Sequence, residues 1–84
     1  MSRITESRVM ERAEIYLAVL RWQGVDVEGL RIYRPGTEYA WRLVKISDDN
    51  GETVLCFIGD SNREALDWLN GGISTCYMVR NRGN

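Results

Sequence analysis

With 84 residues, 44% of them hydrophobic and 27% charged, the chain has the composition of one globular domain, taken as residues 1–84, and not of a disordered segment. Its net charge of −1 argues against a general polyanion binder, which normally carries a basic excess. No apolar run approaches the roughly 18 residues of a membrane span, and the N-terminal residues lack the apolar core of a secretory signal, so we expect a cytoplasmic protein with no membrane partner.

Metal-dependent and nucleophilic chemistry have few candidate residues in this chain. There is no histidine, and Cys56 and Cys76 have no further ligand at the spacing of a zinc site. Both cysteines lie in segments that we expect to be strands, so a disulfide between them would require those strands to be neighbours. The paired carboxylates Asp48 and Asp49 occupy a turn, where aspartate is favoured for its hydrogen bonds to the backbone. We therefore expect no metal, no cofactor and no catalytic residue.

The first predicted element is a helix from Thr5 to Gln23. Thr5 is a suitable N-cap, and Gly24 fits the left-handed residue that closes a helix. Three- and four-residue spacing predicts that one side of this helix faces a core. The residues of that side are Val9, Ala13, Tyr16, Leu17 and Leu20.

A second apolar stripe lies on roughly the opposite side of the same helix. Its members are Ile15, Ala18, Val19 and Trp22. Arg21 is the only charge within this part of the helix, and a helix that is apolar nearly all round is either covered or meets another molecule. Two interpretations stay open: a loop or the C-terminal strand covers the stripe, or the stripe is an interface.

Three strands are predicted next, over Gly29–Arg34, Tyr39–Ser47 and Thr53–Ile58. Pro35-Gly36 is a turn signal, since proline sets φ at one corner and glycine accepts a positive φ at the next. Asn50-Gly51 between two alternating apolar segments is the strongest short-range hairpin signal. We therefore predict a hairpin with a two-residue loop at this point.

A second, shorter helix is predicted to begin at Ser61 and Glu64, which have the spacing of a capping box. Gly71-Gly72 predicts its end, and the alternation of Ile73–Val79 predicts a last strand followed by a frayed tail at 81–84. The order is α-β-β-β-α-β. The expected fold is a small α+β sandwich, in which a mainly antiparallel sheet of three or four strands carries two helices chiefly on one face.

The two predicted turns fix a register that divides the strand residues between two faces of the sheet. The face expected to receive the helices carries Leu30, Ile32, Tyr39, Trp41, Leu43, Cys56 and Ile58. The other carries Arg31, Tyr33, Glu38, Ala40, Arg42, Val44, Ile46, Leu55 and Phe57. Arginine and aromatic residues beside aliphatic ones are typical of protein interfaces. The predicted partner-binding residues are Arg31, Tyr33, Arg42 and Phe57. The alternative, that one helix covers each face, applies most to Val44 and Phe57.

The order α-β-β-β-α up to Gly71 is similar to that of the double-stranded RNA-binding domain. The second helix of that family begins Gly-x-Ser-Lys-Lys-x-Ala-Lys, and the corresponding stretch here runs Gly59-Asp60-Ser61-Asn62-Arg63-Glu64-Ala65-Leu66. Ser61 and Ala65 match, and Arg63 replaces one lysine, whereas Asn62 and Leu66 stand in place of the other two. The resemblance implies recognition of A-form RNA, with Arg63 as the contact residue.

The function expected from these features is that of a non-catalytic regulator or inhibitor that occupies a site on a larger protein. In size and style the chain resembles the inhibitors that phages and mobile elements make against host defence, including anti-CRISPR proteins. Nucleic-acid binding through the RNA-binding resemblance is one alternative. A homodimer that buries two Trp22 stripes across a two-fold axis is another.

Overall fold

The computed structural model describes the backbone of residues 3–82 and the side chains of residues 3–75. Its elements are α1 (Glu6–Trp22), β1 (Leu30–Tyr33), β2 (Trp41–Ile46), β3 (Glu52–Gly59) and α2 (Asn62–Arg82). The strands form one antiparallel sheet in the order β1-β2-β3. The predicted α+β class is confirmed, with three strands. Within the described residues, neither helix combines the length and the apolar character needed to cross a membrane.

Helix α1 begins and ends as the sequence predicts. The Oγ1 atom of Thr5 accepts a hydrogen bond from the amide of Arg8 at 3.3 Å, which satisfies one of the free amides of the first turn. At the other end Gly24 has φ +89°, and the amide of Val25 donates to the carbonyl of Leu20 at 3.0 Å. These bonds form the motif in which a left-handed glycine terminates a helix.

The core lies between the helices and one face of the sheet. Its buried members are Val9 and Ala13 of α1, Ile32, Trp41, Leu43 and Ile58 of the sheet, and Ala65, Leu66 and Leu69 of α2. The strand residues that contact the helices are therefore those predicted to do so, with one exception. Tyr39 precedes β2 in the turn region and is 50% exposed.

The predicted last strand, Ile73–Val79, is wrong, because α2 continues without a break through Gly71 and Gly72. A helical glycine costs roughly 1 kcal/mol relative to alanine, so packing must compensate. A Cβ atom on Gly72 would lie only 2.7 Å from Cε1 of Tyr16 on α1. The same Tyr16 ring packs edge-on against Trp68 of α2, with 5.3 Å between ring centres. The missing side chain at Gly72 thus lets the two helices approach.

The hairpin between β2 and β3 exists, but the predicted two-residue loop is wrong. The amide of Ser47 donates to the carbonyl of Gly51 at 2.8 Å, and the amide of Asn50 donates to the carbonyl of Ser47 at 2.9 Å. Asn50 has φ 67°, so residues 48–50 form a tight turn that ends in a left-handed residue. Hydrogen bonds from the Ser47 hydroxyl and the Gly51 amide hold the Asp49 carboxylate and lower its pKa.

The register of β2 against β3 consequently differs from the predicted one. Ile46 lies opposite Glu52, where the two-residue loop predicted Leu55. Two irregularities follow along β3, because Leu55 and Ile58 have no paired residue on β2. These extra residues bring Ile58 back to the helix side, as predicted.

The register of β1 against β2 is also displaced, but without consequence for the faces. Ile32 lies opposite Leu43, and the turn prediction placed it opposite Tyr39. The displacement is of four residues. Because side chains alternate with a period of two, an even displacement leaves each side chain on its predicted face.

Candidate functional site

The sheet has an outer face on the side opposite its helix-facing core residues, and at the β1 edge this face borders a pocket that α1 also lines. Its residues form cross-strand rows in the order β1, β2, β3. The first row is Tyr33, Arg42 and Phe57, and the second is Arg31, Val44 and Val54. The third pairs Ile46 with Glu52. We call these residues the outer face. It contains all four predicted partner-binding residues.

Arg42 lies between two exposed aromatic rings. Its Cζ atom is 5.1 Å from the centre of the Phe57 ring and 6.0 Å from that of Tyr39. Its Nε atom donates to the carbonyl of Ala40 at 3.2 Å. Phe57 is 62% exposed and Tyr39 50%. Each cation–π contact at an exposed site is worth roughly 0.5–1 kcal/mol. The rings and the carbonyl therefore orient the guanidinium without burying it. We call Tyr39, Arg42 and Phe57 the Arg42 cluster.

Tyr33 and Glu52 form a second arrangement on the outer face. The Tyr33 hydroxyl donates to Oε1 of Glu52, and this bond joins the two edge strands across β2. Val44, which lies on β2 between them, is fully buried although it is not part of the helix-facing core. We attribute its burial to the side chains that cross over it. The hydrogen bond to Glu52, together with desolvation and the negative charge of Glu52, raises the pKa of Tyr33.

Strand β3 adds exposed apolar side chains beside the Arg42 cluster. Val54 is 39% exposed and Leu55 is 52% exposed. Both lie on an edge strand, which pairs with β2 alone in the described sheet. Contiguous exposed apolar residues rimmed by polar ones commonly mark an interaction site. The outer face is thus apolar along β3 and positively charged at Arg31 and Arg42.

Tyr39 is the member of this surface that the sequence reasoning missed. It was assigned to the helix side because the strand was predicted to begin there. In the structure its amide donates to the carbonyl of Gly36 at 3.1 Å, so Tyr39 still belongs to the turn that begins at Pro35-Gly36. If the turn were predicted to extend through Tyr39, strand alternation would not assign Tyr39 to the helix side.

The second apolar stripe of α1 is partly exposed. Val19 is 5% exposed, whereas Ile15 is 37% and Trp22 52% exposed, and Ala18 is also exposed. These four residues line a shallow groove of about 360 Å³. No C-terminal strand covers the stripe, because the segment after Gly72 is helical.

A polar network at one end of the core was not expected from the sequence. Asn62 accepts a hydrogen bond from Nε1 of the buried Trp41 at 2.9 Å and donates one to the carbonyl of Ile4 at 3.1 Å. The guanidinium of Arg34 lies 5.3 Å from the Trp41 ring centre and forms an ion pair with Glu6 at 2.7 Å. The network ties the N-terminal segment, α1, β2 and α2 together, and Asn62 is therefore structural.

The residues that the RNA-binding resemblance singles out are not gathered into a basic surface. Arg63 is exposed, but Leu66 is 8% exposed in the core and Asn62 belongs to the Trp41 network. The hydroxyl of Ser61 accepts a hydrogen bond from the amide of Glu64 at 3.1 Å, which confirms the predicted cap. Two of the three lysine positions therefore have internal roles.

The cysteines and carboxylates do not assemble into a reactive or metal-binding group. Among the described residues, no cluster of three or more metal-ligating side chains occurs. Cys56 is a free, half-buried thiol on β3. Cys76 lies in α2, so the interpretation that both cysteines occupy strands is wrong.

No family model, curated protein or solved structure matches the chain.

Proposed function

We propose that the protein is a non-catalytic, cytoplasmic binding protein that places the outer face of its sheet on a larger protein. One observation carries this proposal. The Arg42 guanidinium is held between the rings of Tyr39 and Phe57, and both rings are exposed. Arginine and aromatic residues dominate the energetics of protein interfaces, and in this structure the contacts between them are already formed. Preformed contacts bind at a lower cost in side-chain entropy.

The charges of the outer face define the chemistry of the partner. Arg31 and Arg42 are its positive groups, and its carboxylate, Glu52, already accepts a hydrogen bond from Tyr33. Among residues 3–75, no side chain or carbonyl accepts a hydrogen bond from the Nη atoms of Arg42. A partner carboxylate would complete this bidentate donor. The exposed Val54 and Leu55 favour apolar groups beside that carboxylate. The partner we propose is therefore a protein surface with carboxylates set among apolar side chains.

The biological role that we propose is regulation or inhibition by occupying a site on the partner. A chain of 84 residues has little room for a catalytic cleft, and it contains no histidine to act as a general base. Small inhibitors of the anti-defence kind work by covering a surface, which needs only a rigid face with a few anchors. The outer face supports such a role.

The test compares outer-face variants with a matched control. The tagged protein captures partners from nuclease-treated lysate, and the affinity of the identified partner is then measured with purified components. We expect Arg42→Ala and Phe57→Ala each to weaken binding roughly tenfold or more, because truncation of an interface anchor costs about 2 kcal/mol. Arg63→Ala changes an exposed arginine elsewhere and should have no effect. Equal affinity in all three variants would contradict the use of the outer face.

Binding to double-stranded RNA is a second candidate because of one observation. Without the last strand, the observed order α-β-β-β-α agrees with that family over all described elements. The internal roles of Leu66 and Asn62 argue against it, since they remove two phosphate contacts. Titration of an A-form RNA duplex at low and high salt decides the matter. Binding that weakens steeply with salt and is reduced by Arg63→Ala would favour RNA over a protein partner.

A further inference from the structure

The outer side of α1 has an arrangement of charge and size around Ala18 that the proposed function does not use. Ala18 is small and exposed. Glu14 and Arg21 lie on one side of it, and Ile15 and Trp22 lie on the other, since each residue of a helix turns about 100° from the last. All four flanking residues are exposed as well. Each pair has one member before Ala18 and one after it, and the two members are seven positions apart in the sequence.

The charged pair cannot be satisfied within one helix. Glu14 and Arg21 are seven residues apart, which corresponds to two turns or roughly 10 Å along the axis. Neither forms an ion pair with another residue among the described side chains. Glu14 and Arg21 thus lie at about equal distances from Ala18, one toward each end of α1.

We propose that a second copy of this chain packs on this side of α1, antiparallel, with the two-fold axis at Ala18. In that arrangement Glu14 of each chain meets Arg21 of the partner subunit, and Ile15 of each chain meets Trp22 of the partner subunit. The small Ala18 lets the two axes approach to roughly 8–10 Å. The interface is self-complementary, as a two-fold axis requires.

Two observations favour this occupant over an unrelated partner. The charges match only in the antiparallel sense, because a parallel two-fold pair would place Glu14 and Arg21 beside Ile15 and Trp22 of the partner subunit. The shallow groove of about 360 Å³ lies where the second copy would insert, since its lining includes Ile15, Ala18 and Trp22. A second copy therefore supplies both the apolar groups and the charges that this surface needs.

The inference is independent of the proposed function. The exposed members of the stripe, Ile15, Ala18 and Trp22, lie on the side of α1 opposite its core residues Val9 and Ala13, and those core residues face the sheet. A dimer through α1 therefore leaves the Arg42 cluster open, although Glu14 borders the same pocket as Arg31 and Tyr33 of the outer face.

Charge reversal tests the proposal directly. Wild-type protein, Glu14→Arg and Arg21→Glu are examined by sedimentation equilibrium over a concentration series, singly and as an equimolar mixture of the two variants. We expect a reversible wild-type dimer and a tenfold or greater weakening in each variant alone, because like charges then meet twice. The mixture should associate about as tightly as the wild type, since each positive side chain again meets a negative one.

Controls separate association from folding. Asp67→Arg reverses an exposed charge on α2 and should leave the dimer unchanged. Far-UV circular dichroism establishes that every variant keeps its helices. A monomeric wild-type protein at all concentrations would overturn the proposal. So would a mixture that associates no more tightly than its separate components.

Discussion

Two side chains of the outer face are fixed by interactions of different kinds. Arg42 is oriented by the faces of two rings and by one backbone carbonyl. Tyr33 is oriented by a hydrogen bond to the carboxylate of Glu52, which requires the phenol to be protonated. The Arg42 arrangement consists of ring and carbonyl contacts. The Tyr33–Glu52 hydrogen bond is sensitive to alkali, and it lies above the buried Val44.

The raised pKa of Tyr33 leads to a prediction about alkaline stability. A phenol whose folded-state pKa exceeds the ordinary value of 10.0 contributes stability that is complete below that value and is lost as the pH rises through the folded pKa. The free energy of unfolding of the wild type should therefore fall more between neutral pH and pH above 10.0 than that of Tyr33→Phe.

Urea denaturation of both proteins at the two pH values measures this difference. Tyr39→Phe is the matched control, since its phenol lies outside the Glu52 hydrogen bond. An equal loss of stability in the wild type and Tyr33→Phe would mean that the bond to Glu52 contributes nothing in solution.

At the level of elements, local signals predicted where structure begins better than where it ends. Thr5 and Ser61 act as the predicted caps because a cap needs only its own first turn. Gly71-Gly72 predicted a helix end because glycine is unfavourable in helices. The reason for glycine there is Tyr16, which is distant in the sequence and becomes a neighbour only after folding. No local pattern carries that information.

The same distinction between local and long-range information explains which outer-face residues could be predicted. Phe57 was predicted correctly as an outer-face residue because alternation along a strand is local, whereas the exposure of Tyr39 depends on how far the preceding turn extends. Asn50-Gly51 likewise predicted the hairpin but not its loop length. Because register follows from loop length, the predicted strand pairs were wrong although most faces were right.

The two adjacent glycines of α2 should respond oppositely to alanine. At Gly71 an added Cβ has no atom within 4 Å, so Gly71→Ala should raise the free energy of unfolding by about 1 kcal/mol through helix propensity. At Gly72 the Cβ would lie 2.7 Å from the Tyr16 ring, which already packs against Trp68. Gly72→Ala should therefore destabilise the protein by about 1–3 kcal/mol.

Urea denaturation followed by far-UV circular dichroism measures both glycine variants against the wild type. The two substitutions add the same methyl group to the same helix, so each controls for the other. Stabilisation by Gly72→Ala would show that α1 and α2 do not meet closely at this point.

The whole molecule is a two-layer structure with two exposed surfaces on opposite sides. The sheet covers one side of the helices and leaves its outer face open, while α1 turns its stripe away from the sheet. Each surface also contains one buried residue, Val44 on the outer face and Val19 in the stripe. Substitutions at Arg42 and Phe57 on one surface and at Trp22 on the other should act independently on partner binding and on self-association.

Two tryptophans, one exposed and one buried, allow substitutions at the surface and in the core to be compared. Trp22 is 52% exposed, so Trp22→Glu should leave the free energy of unfolding within about 1 kcal/mol of the wild type. Trp41 is 1% exposed, packs in the core and donates its indole hydrogen bond to Asn62. Trp41→Ala should cost about 3–5 kcal/mol, which is much of the stability of a domain this small. Far-UV circular dichroism is the suitable probe, since it does not depend on tryptophan fluorescence. If Trp22→Glu unfolds the protein, the α1 stripe belongs to the core and neither a second copy nor a partner can occupy it. If it stays folded and loses only self-association, the stripe is a surface that the fold leaves available.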